Sequence, residues 1–330
     1  MDDLFKTRAL TGALNQLRPA PTLILDRVFK RKEPQLTDRF AWDIQTQSEG
    51  IMPNISVYAE ASVSDNEGMK TVTCQSPRFS EKRMISAADL NGMRAFGSQV
   101  SVQLLTTKIG AVLASLKRKA DITREFQAAM CLSGKVVDAK GVVLVDYGFS
   151  AAQKPVLTLT NRWSDPASDP LKDIRGWKKL IGQAAGNVSQ YVAFVGTDVM
   201  DALMNHTKVL ELLKYTHGKE TAEEGRIINL AGVELVEYQG SYIDSNGARQ
   251  DLVPPTHFRM IGLTGDHGAE LFAPVVDLES PNGVGMGKPG DMFFSKSWLV
   301  KDPSGRWIKV EVRPLPVLMR PECVIDATPV

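Results

Sequence analysis

The stretch from Val100 to Gly134 constrains this chain more than any other feature, because it runs without a proline and with one interior glycine, Gly110. Leu104, Leu105, Ile109, Val112, Leu113, Leu116, Phe126, Met130 and Leu132 recur mostly at three- and four-residue steps, the period of one helical face. At 1.5 Å of rise per residue, a helix of about 30 residues reaches about 45 Å, the width of a small domain. Gly134 suits the position that closes helices, and Lys117, Arg118 and Lys119 read as the polar side. A hairpin should follow, since Val136-Val137 and Val142 to Val145 bracket the turn Asp138-Ala139-Lys140-Gly141.

Upstream, Leu4, Phe5, Ala9, Leu10, Ala13, Leu14 and Leu17 predict a short amphipathic helix that Pro19 and Pro21 stop. Arg27, Lys30, Arg31 and Lys32 then cluster; residues 1–32 hold seven basic and three acidic side chains, a local +4. Such a run is either a solvated surface or an arm that meets a polyanion or an acidic neighbour. Residues 54–80 carry Ile55, Val57, Val63, Met69, Val72 and Phe79 as their only large aliphatic or Phe residues, too few to build a core. Ser56 to Ser64 and Lys70 to Gln75 flank Asp65-Asn66-Glu67-Gly68, which predicts a hairpin. An isolated two-stranded hairpin is marginal in water, so this one is a floppy insertion or gains stability by lying on another molecule.

Downstream the pattern alternates helices and strands, as in a compact mixed unit. Asp169 and Pro170 suit the N-cap and first position of a helix carrying Leu171, Ile174 and Ile181 on one face. Tyr191 to Val195 reads as a buried strand, and Thr197 as the cap of a helix on which Met200, Leu203, Met204, Leu210 and Leu213 point one way. Val233 to Ile243 and Asp251 to Val253 flank Ser245-Asn246-Gly247, a strong hairpin signal. Near the C-terminus, Trp298 to Val300 and Trp307 to Val312 flank Asp302-Pro303-Ser304-Gly305. The alternation Ile308-Lys309-Val310-Glu311-Val312 predicts a strand with one wet face.

At 330 residues the length suits about two domains. A net charge of +1, from 39 Lys+Arg against 38 Asp+Glu, removes any whole-molecule case for nucleic-acid or membrane affinity. Cys74, Cys131 and Cys323 are odd in number, far apart and outside any zinc spacing, so they read as free thiols of a reducing compartment. The N-terminus lacks the pattern of a secretory signal, and no stretch approaches the roughly 20 apolar residues of a membrane span. The expectation is a protein made and used inside a cell.

A search for chemistry returns little. His206, His217, His257 and His267 form no HExxH and no metal-spaced pair, and Asp165, Asp169 and Asp173 are explained more simply as caps. The run Gly283 to Lys288 lacks the spacing and the Ser or Thr of a phosphate loop; Pro289 stands there instead. No GxSxG occurs. No catalytic, cofactor-binding or metal-binding residue is assigned, and no cofactor is expected.

The order of elements (arm, lone hairpin, long helix, β-hairpin, mixed unit, terminal strands) resembles the Hong Kong 97-like capsid fold, and in detail the lambda-type (E-type) major capsid protein family of tailed phages. The residues that carry the resemblance are Trp163 with Asp169-Pro170-Leu171-Lys172-Asp173-Ile174, then Gly240-Ser241-Tyr242-Ile243 with Asn246-Gly247. Val253-Pro254-Pro255 leading to Met260-Ile261-Gly262 follows, and Ser297-Trp298 through Asp302-Pro303 to Pro314-Leu315-Pro316-Val317-Leu318 completes the series.

The resemblance implies an α+β fold with an N-terminal arm at 1–45, an extended loop at 46–86 and a peripheral domain with its spine helix at 87–150. An axial domain would occupy 151–295, and terminal strands at 296–330 would return to the peripheral and axial sheets. It further implies a major capsid protein, not an enzyme, whose pentamers and hexamers assemble in the host cytoplasm with scaffold and portal proteins. A decoration protein could join, and the icosahedral shell would enclose double-stranded DNA without reading its sequence. Some relatives weld the loop to a neighbour through a Lys-Asn isopeptide bond, whereas lambda-type shells use non-covalent contacts. Candidate intersubunit contacts are Arg27, Lys30, Arg31, Lys32, Glu67, Lys70, Arg78, Lys82, Arg83, Lys117, Arg118 and Lys119. Two rival readings are a hydrolase or transferase in which His206, His257 or His267 gathers with carboxylates, and a nucleic-acid-binding module on residues 27–32 and 117–119.

Overall fold

The computed structural model describes residues 5–18, 20–46, 68–86, 102–186, 188–216, 227–244, 246–280, 282–283, 288–302 and 304–330. In chain order the elements are α1 (Thr7–Gln16), α2 (Leu23–Val28), β1 (Lys32–Pro34), β2 (Arg39–Thr46), β3 (Gly68–Gln75), β4 (Phe79–Ser86) and α3 (Val102–Leu132). There follow β5 (Lys135–Val137), β6 (Val143–Asp146), α4 (Pro170–Ala185), β7 (Gln190–Val195), α5 (Thr197–Asn205), α6 (Thr207–Thr216), β8 (Asn229–Leu230) and β9 (Val233–Glu237). The rest are β10 (Ser241–Ile243), β11 (Arg249–Asp251), β12 (Phe258–Leu263), β13 (Gly268–Phe272), β14 (Phe294–Val300), β15 (Gly305–Val312), β16 (Pro314–Leu318) and β17 (Val324–Ala327).

Two compact units emerge, each assembled from separated stretches: residues 1–40, 74–128 and 269–317 form the first, and 41–73, 129–268 and 318–330 the second. In the first unit Ile109, Val112, Leu113, Leu116 and Ala120 line one face of α3 and pack on Ile85, Ile308, Val310 and Val312 of the sheet β14-β15-β4. Phe5, Leu10 and Leu14 close the same core, so the amphipathic stripe of α1 is spent on it. A second sheet, β1-β13-β16, ties the N-terminal stretch in: Lys32 to Pro34 run parallel to Glu270 to Phe272.

In the second unit the sheet order is β17-β12-β7-β9-β8, with β7 antiparallel to β12 and parallel to β9. Ile174, Trp177, Ile181 and Ala185 recur along α4 and face Ala193, Val195, Phe258, Met260 and Ile325. Asp169 caps that helix, its Oδ1 accepting the Lys172 N–H at 3.1 Å, with Pro170 in the first turn. The other two aspartates of the series also serve local bonds, Asp165 to the Ala167 N–H and Asp173 to the Trp163 indole N–H. Gly134 ends α3 at φ +88°, where an added Cβ would lie 2.7 Å from the Phe149 ring.

Several expectations are corrected. The helix expected from Thr197 breaks in two at His206, whose backbone turns extended while its ring is buried; Gly196 holds the N-cap position and Leu210 is exposed. The strand expected over Val233 to Ile243 is interrupted before Gly240, where a Cβ would stand 2.4 Å from Tyr238. The hairpin over 56–75 is tested in half only, since Ser56 to Ser64 lie outside the described residues. The other half is β3, and its partner is β2. Not among these corrections are residues 79–86, the end of the stretch that the resemblance gives to the extended loop; they form β4, paired with β15 over its whole length.

Candidate intersubunit surfaces

The cross-strand register of β14-β15-β4 sorts its side chains. Lys296, Lys309 and Lys82 stand directly opposite one another, as do Trp298, Trp307 and Met84, so all six share one face. Ile308 and Val310 point the other way, into the core. A row of three lysines is repulsive unless something intervenes. Here Asp277 accepts from Lys296 Nζ at 2.7 Å and Lys309 Nζ at 3.2 Å, while Glu311 accepts from Lys309 at 2.8 Å and from both nitrogens of a forked Arg78 at 2.9 and 2.8 Å. Lys82 lies over indoles instead, 4.7 Å from the Trp307 centroid and 5.8 Å from Trp298, a cation–π arrangement.

The predicted wet face of β15 is therefore corrected: the Glu311 side chain is 0% exposed and Lys309 is buried. Alternation reports that two faces differ, not that one meets water; the ion pairs supply what solvent would have. Burial pushes the Glu311 carboxyl up, but its bonds to Arg78 and Lys309 outweigh this and hold it below the usual range. Asp277 behaves alike, burial being outweighed by Lys296, the Glu279 N–H and Lys309. Sequence reasoning named Arg78 and Lys82 as candidate contacts and gave Lys309 and Glu311 to a wet face, but it did not bring the four together and passed over Asp277 and Lys296. The charged alternation of β15 was the available signal, but its partners lie up to 233 residues away.

The remaining candidates are scattered. Lys30 and Lys32 are exposed, Arg27 is half-buried on α2, and Arg31 pairs with Glu33 at 2.6 Å; β1 carries Lys32 as part of a sheet. Lys70 is exposed on β3, and Glu67 lies outside the described residues. Arg83 reaches Ser115 Oγ at 3.4 Å, Arg118 is exposed, and Lys119 pairs with Glu81. Lys117 leaves the surface altogether. Only 4% exposed, it donates to the backbone carbonyls of Leu14 (3.0 Å) and Leu17, so the polar side expected for α3 is interrupted by a buried cation.

The ribbon β2-β3 has no third strand among the described residues. On β3, Lys70, Thr71, Thr73 and Gln75 are exposed and Val72 and Cys74 half-buried; Thr71 Oγ1 donates to Asp43 Oδ1 at 2.6 Å. Both outer edges of such a pair leave backbone groups open to another chain.

Among the described residues no catalytic constellation assembles. His206 meets Ser168 Oγ at 3.1 Å, His257 Nδ1 meets Asp326 at 2.8 Å, and His267 Nδ1 accepts from the Thr264 N–H. The cavity lined by His206, Asp198 and Asp201 takes in neither other histidine; His217 lies outside the described residues. No disulfide joins the three cysteines, and burial pushes Cys131 and Cys323 up to about 12. Among the described residues no group of three metal-ligating side chains gathers, and no helix is long and apolar enough to cross a membrane.

Comparison with known proteins places this geometry. A family model described as phage major capsid protein E matches residues 6–329. No curated protein matches the chain. Among solved structures, one described as the capsid protein of a prophage of E. coli CFT073 superposes with a TM-score of 0.68 at 18% identity, covering 98% of this chain and 99% of that one. A phage-related protein of Bordetella bronchiseptica RB50 gives 0.58 at 15%, covering 98% and 97%. The capsid of cyanophage P-SCSP1u gives 0.54 at 8%, covering 95% and 89%.

Proposed function

Because the chain belongs to the phage major capsid protein E family, we propose that its copies form pentamers and hexamers that close into the icosahedral head of a tailed double-stranded DNA phage. As a major capsid protein it is a structural component of the virion shell, built by self-association, and not an enzyme; the α+β fold is the Hong Kong 97-like capsid fold. In the finer reading, assembly occurs in the host cytoplasm on scaffold and portal proteins, with a decoration protein as an optional further partner. The first compact unit corresponds to the peripheral domain and the second to the axial domain. Arg27, Lys30, Lys32, Lys70, Lys82 and Arg118 serve as contacts to neighbouring copies or to packaged DNA, without reading bases.

The observation that carries this reading is the ribbon β2-β3, a pair of eight-residue strands with no third strand among the described residues: Phe40 and Trp42 anchor the start of β2 in the subunit, whereas Lys70, Thr71, Thr73 and Gln75 along β3 are exposed. Two strands alone are marginal in water, and a shell supplies the missing neighbour. Linked weak contacts then multiply, which permits correction during closure and collective stability afterwards.

Negative-stain microscopy of the purified chain, alone and with its scaffold, should show rings, tubes or shells. Replacing residues 47–67 by a short Gly-Ser turn should leave a folded subunit that no longer closes shells. That change is sharper than removing 46–86, which would also take Ile85 out of the core and Arg78 away from Glu311. Normal shells from the shortened chain would refute the extended-loop role given to residues 47–67.

A further inference from the structure

Three residues on one ridge of α3, Lys117, Asp121 and Glu125, stand four apart, the spacing that stacks side chains along a helix. All three are buried, and each bonds to main chain of the N-terminal stretch. Lys117 Nζ donates to Leu14 O, which also takes the Leu17 N–H that closes α1, and to Leu17 O just past the helix end. Asp121 Oδ2 accepts the Ala20 N–H at 3.1 Å. Glu125 accepts the Ile24 N–H at 2.7 Å and the Leu25 N–H at 3.2 Å with its two oxygens. Arg124 braces the row from the side, bonded to Asp121 at 3.0 Å and to both oxygens of Glu270 at 2.7 Å, with the Phe272 and Phe293 rings 5.6 and 5.5 Å away.

The chemistry of the row is ordered. A cation meets carbonyls, then carboxylates meet amides, in the sequence in which the N-terminal chain offers them. A segment laid in the opposite direction would set Lys117 against N–H groups and Glu125 against carbonyls, and one displaced by a turn would take both off their partners, leaving buried charges unpartnered. The apolar residues Leu10, Leu14, Ile24 and Leu25 supply adhesion but discriminate direction poorly, since hydrophobic contact is non-directional. We infer that Lys117, Asp121 and Glu125 act as an address on the long helix, fixing the direction and register of residues 7–28 and so positioning the segment that leads to the basic cluster at 27–32. This rests on the reading of that segment as an intersubunit arm.

Amide hydrogen exchange on the full-length, unassembled chain tests the address by itself. Glu125→Gln should speed exchange at Ile24 and Leu25 about 10- to 100-fold, the range expected for losing hydrogen bonds to a charged acceptor, with the amides of β12 unchanged. Lys117→Met keeps the side chain's length and should loosen the Leu17 N–H, which closes α1; it carries the test if Glu125→Gln fails to fold. Exchange within twofold of the parent at these amides in both variants would overturn the address. The arm reading is examined separately by assembling the same variants. Faster exchange with shells of unchanged size and uniformity supports the address and refutes the arm, whereas faster exchange with irregular shells supports both.

Discussion

The sheets of the two units handle their second face differently. In β17-β12-β7-β9-β8 the strands β7, β12 and β17 are buried on both sides: Ala193, Val195, Phe258 and Met260 face one core, and Val192, Phe194, Ile261 and Val324 are buried on the other side. One ionic cluster interrupts this, where Asp326 accepts from His257 and Arg259. In β14-β15-β4 one face is the apolar core, and the other carries, among Trp298, Trp307 and Met84, a chain of alternating charge running Arg78, Glu311, Lys309, Asp277, Lys296. An apolar sheet face has no protonation state to lose, whereas an ionic face depends on carboxylates that stay charged. The difference teaches that the sheet of the first unit is the acid-sensitive one, held by buried groups that bond only while ionised.

The largest effect should come from the apolar side. Phe258→Ala removes a fully buried ring lying 5.3 Å from Trp163 and 5.5 Å from Trp177, and should cost about 3–5 kcal/mol in urea titrations followed by tryptophan fluorescence. Glu311→Ala should come next at about 2 kcal/mol, because buried Lys309 loses its shorter ion pair and keeps only Asp277, while Arg78, half in water, relaxes. Replacing both members, Glu311→Leu with Lys309→Met, should recover most of that loss. If the double variant were no better than the single one, packing rather than charge would govern this face.

Acid should separate the sheets more finely. Glu311 and Asp277 have carboxyls held below their ordinary values of 4.5 and 3.8, so both stabilise the fold fully at neutral pH. That contribution fades as pH falls past those values and through the depressed folded ones, since the unfolded chain takes up protons first. Urea titrations at pH 7 and at pH 4 or below should show a smaller acid-induced loss in Glu311→Gln than in the parent. An equal loss would remove Glu311 from the acid response. The smallest effect belongs to the exposed pair Lys119 and Glu81, where Lys119→Ala should cost less than about 1 kcal/mol and nothing measurable at high salt.

Local chemistry was legible in the sequence. The long helix was expected from its uninterrupted period and spans Val102–Leu132; Asp169 and Pro170 announced α4; and β14 and β15 flank the expected turn. Long-range choices were not. The period of β15 distinguishes two faces but cannot show that Arg78 and Asp277 reach its charged one. The apolar spacing from Met200 to Leu213 is continuous, yet the chain breaks where the His206 ring is drawn to Ser168. Likewise Lys117 reads as a surface lysine until the end of α1 arrives beside it. The basic candidates Lys30, Lys32, Lys70 and Arg118 are exposed in the single subunit.

Amide exchange along Gly68–Gln75, compared between the free subunit and purified shells, bears most directly on whether copies of the chain complete what a single copy leaves uncovered. Exchange of β3 in the free subunit should be fast, with protection rising at least about 100-fold on assembly, while β7 and β12 remain equally protected in both states. Equal protection of β3 before and after assembly would contradict the account.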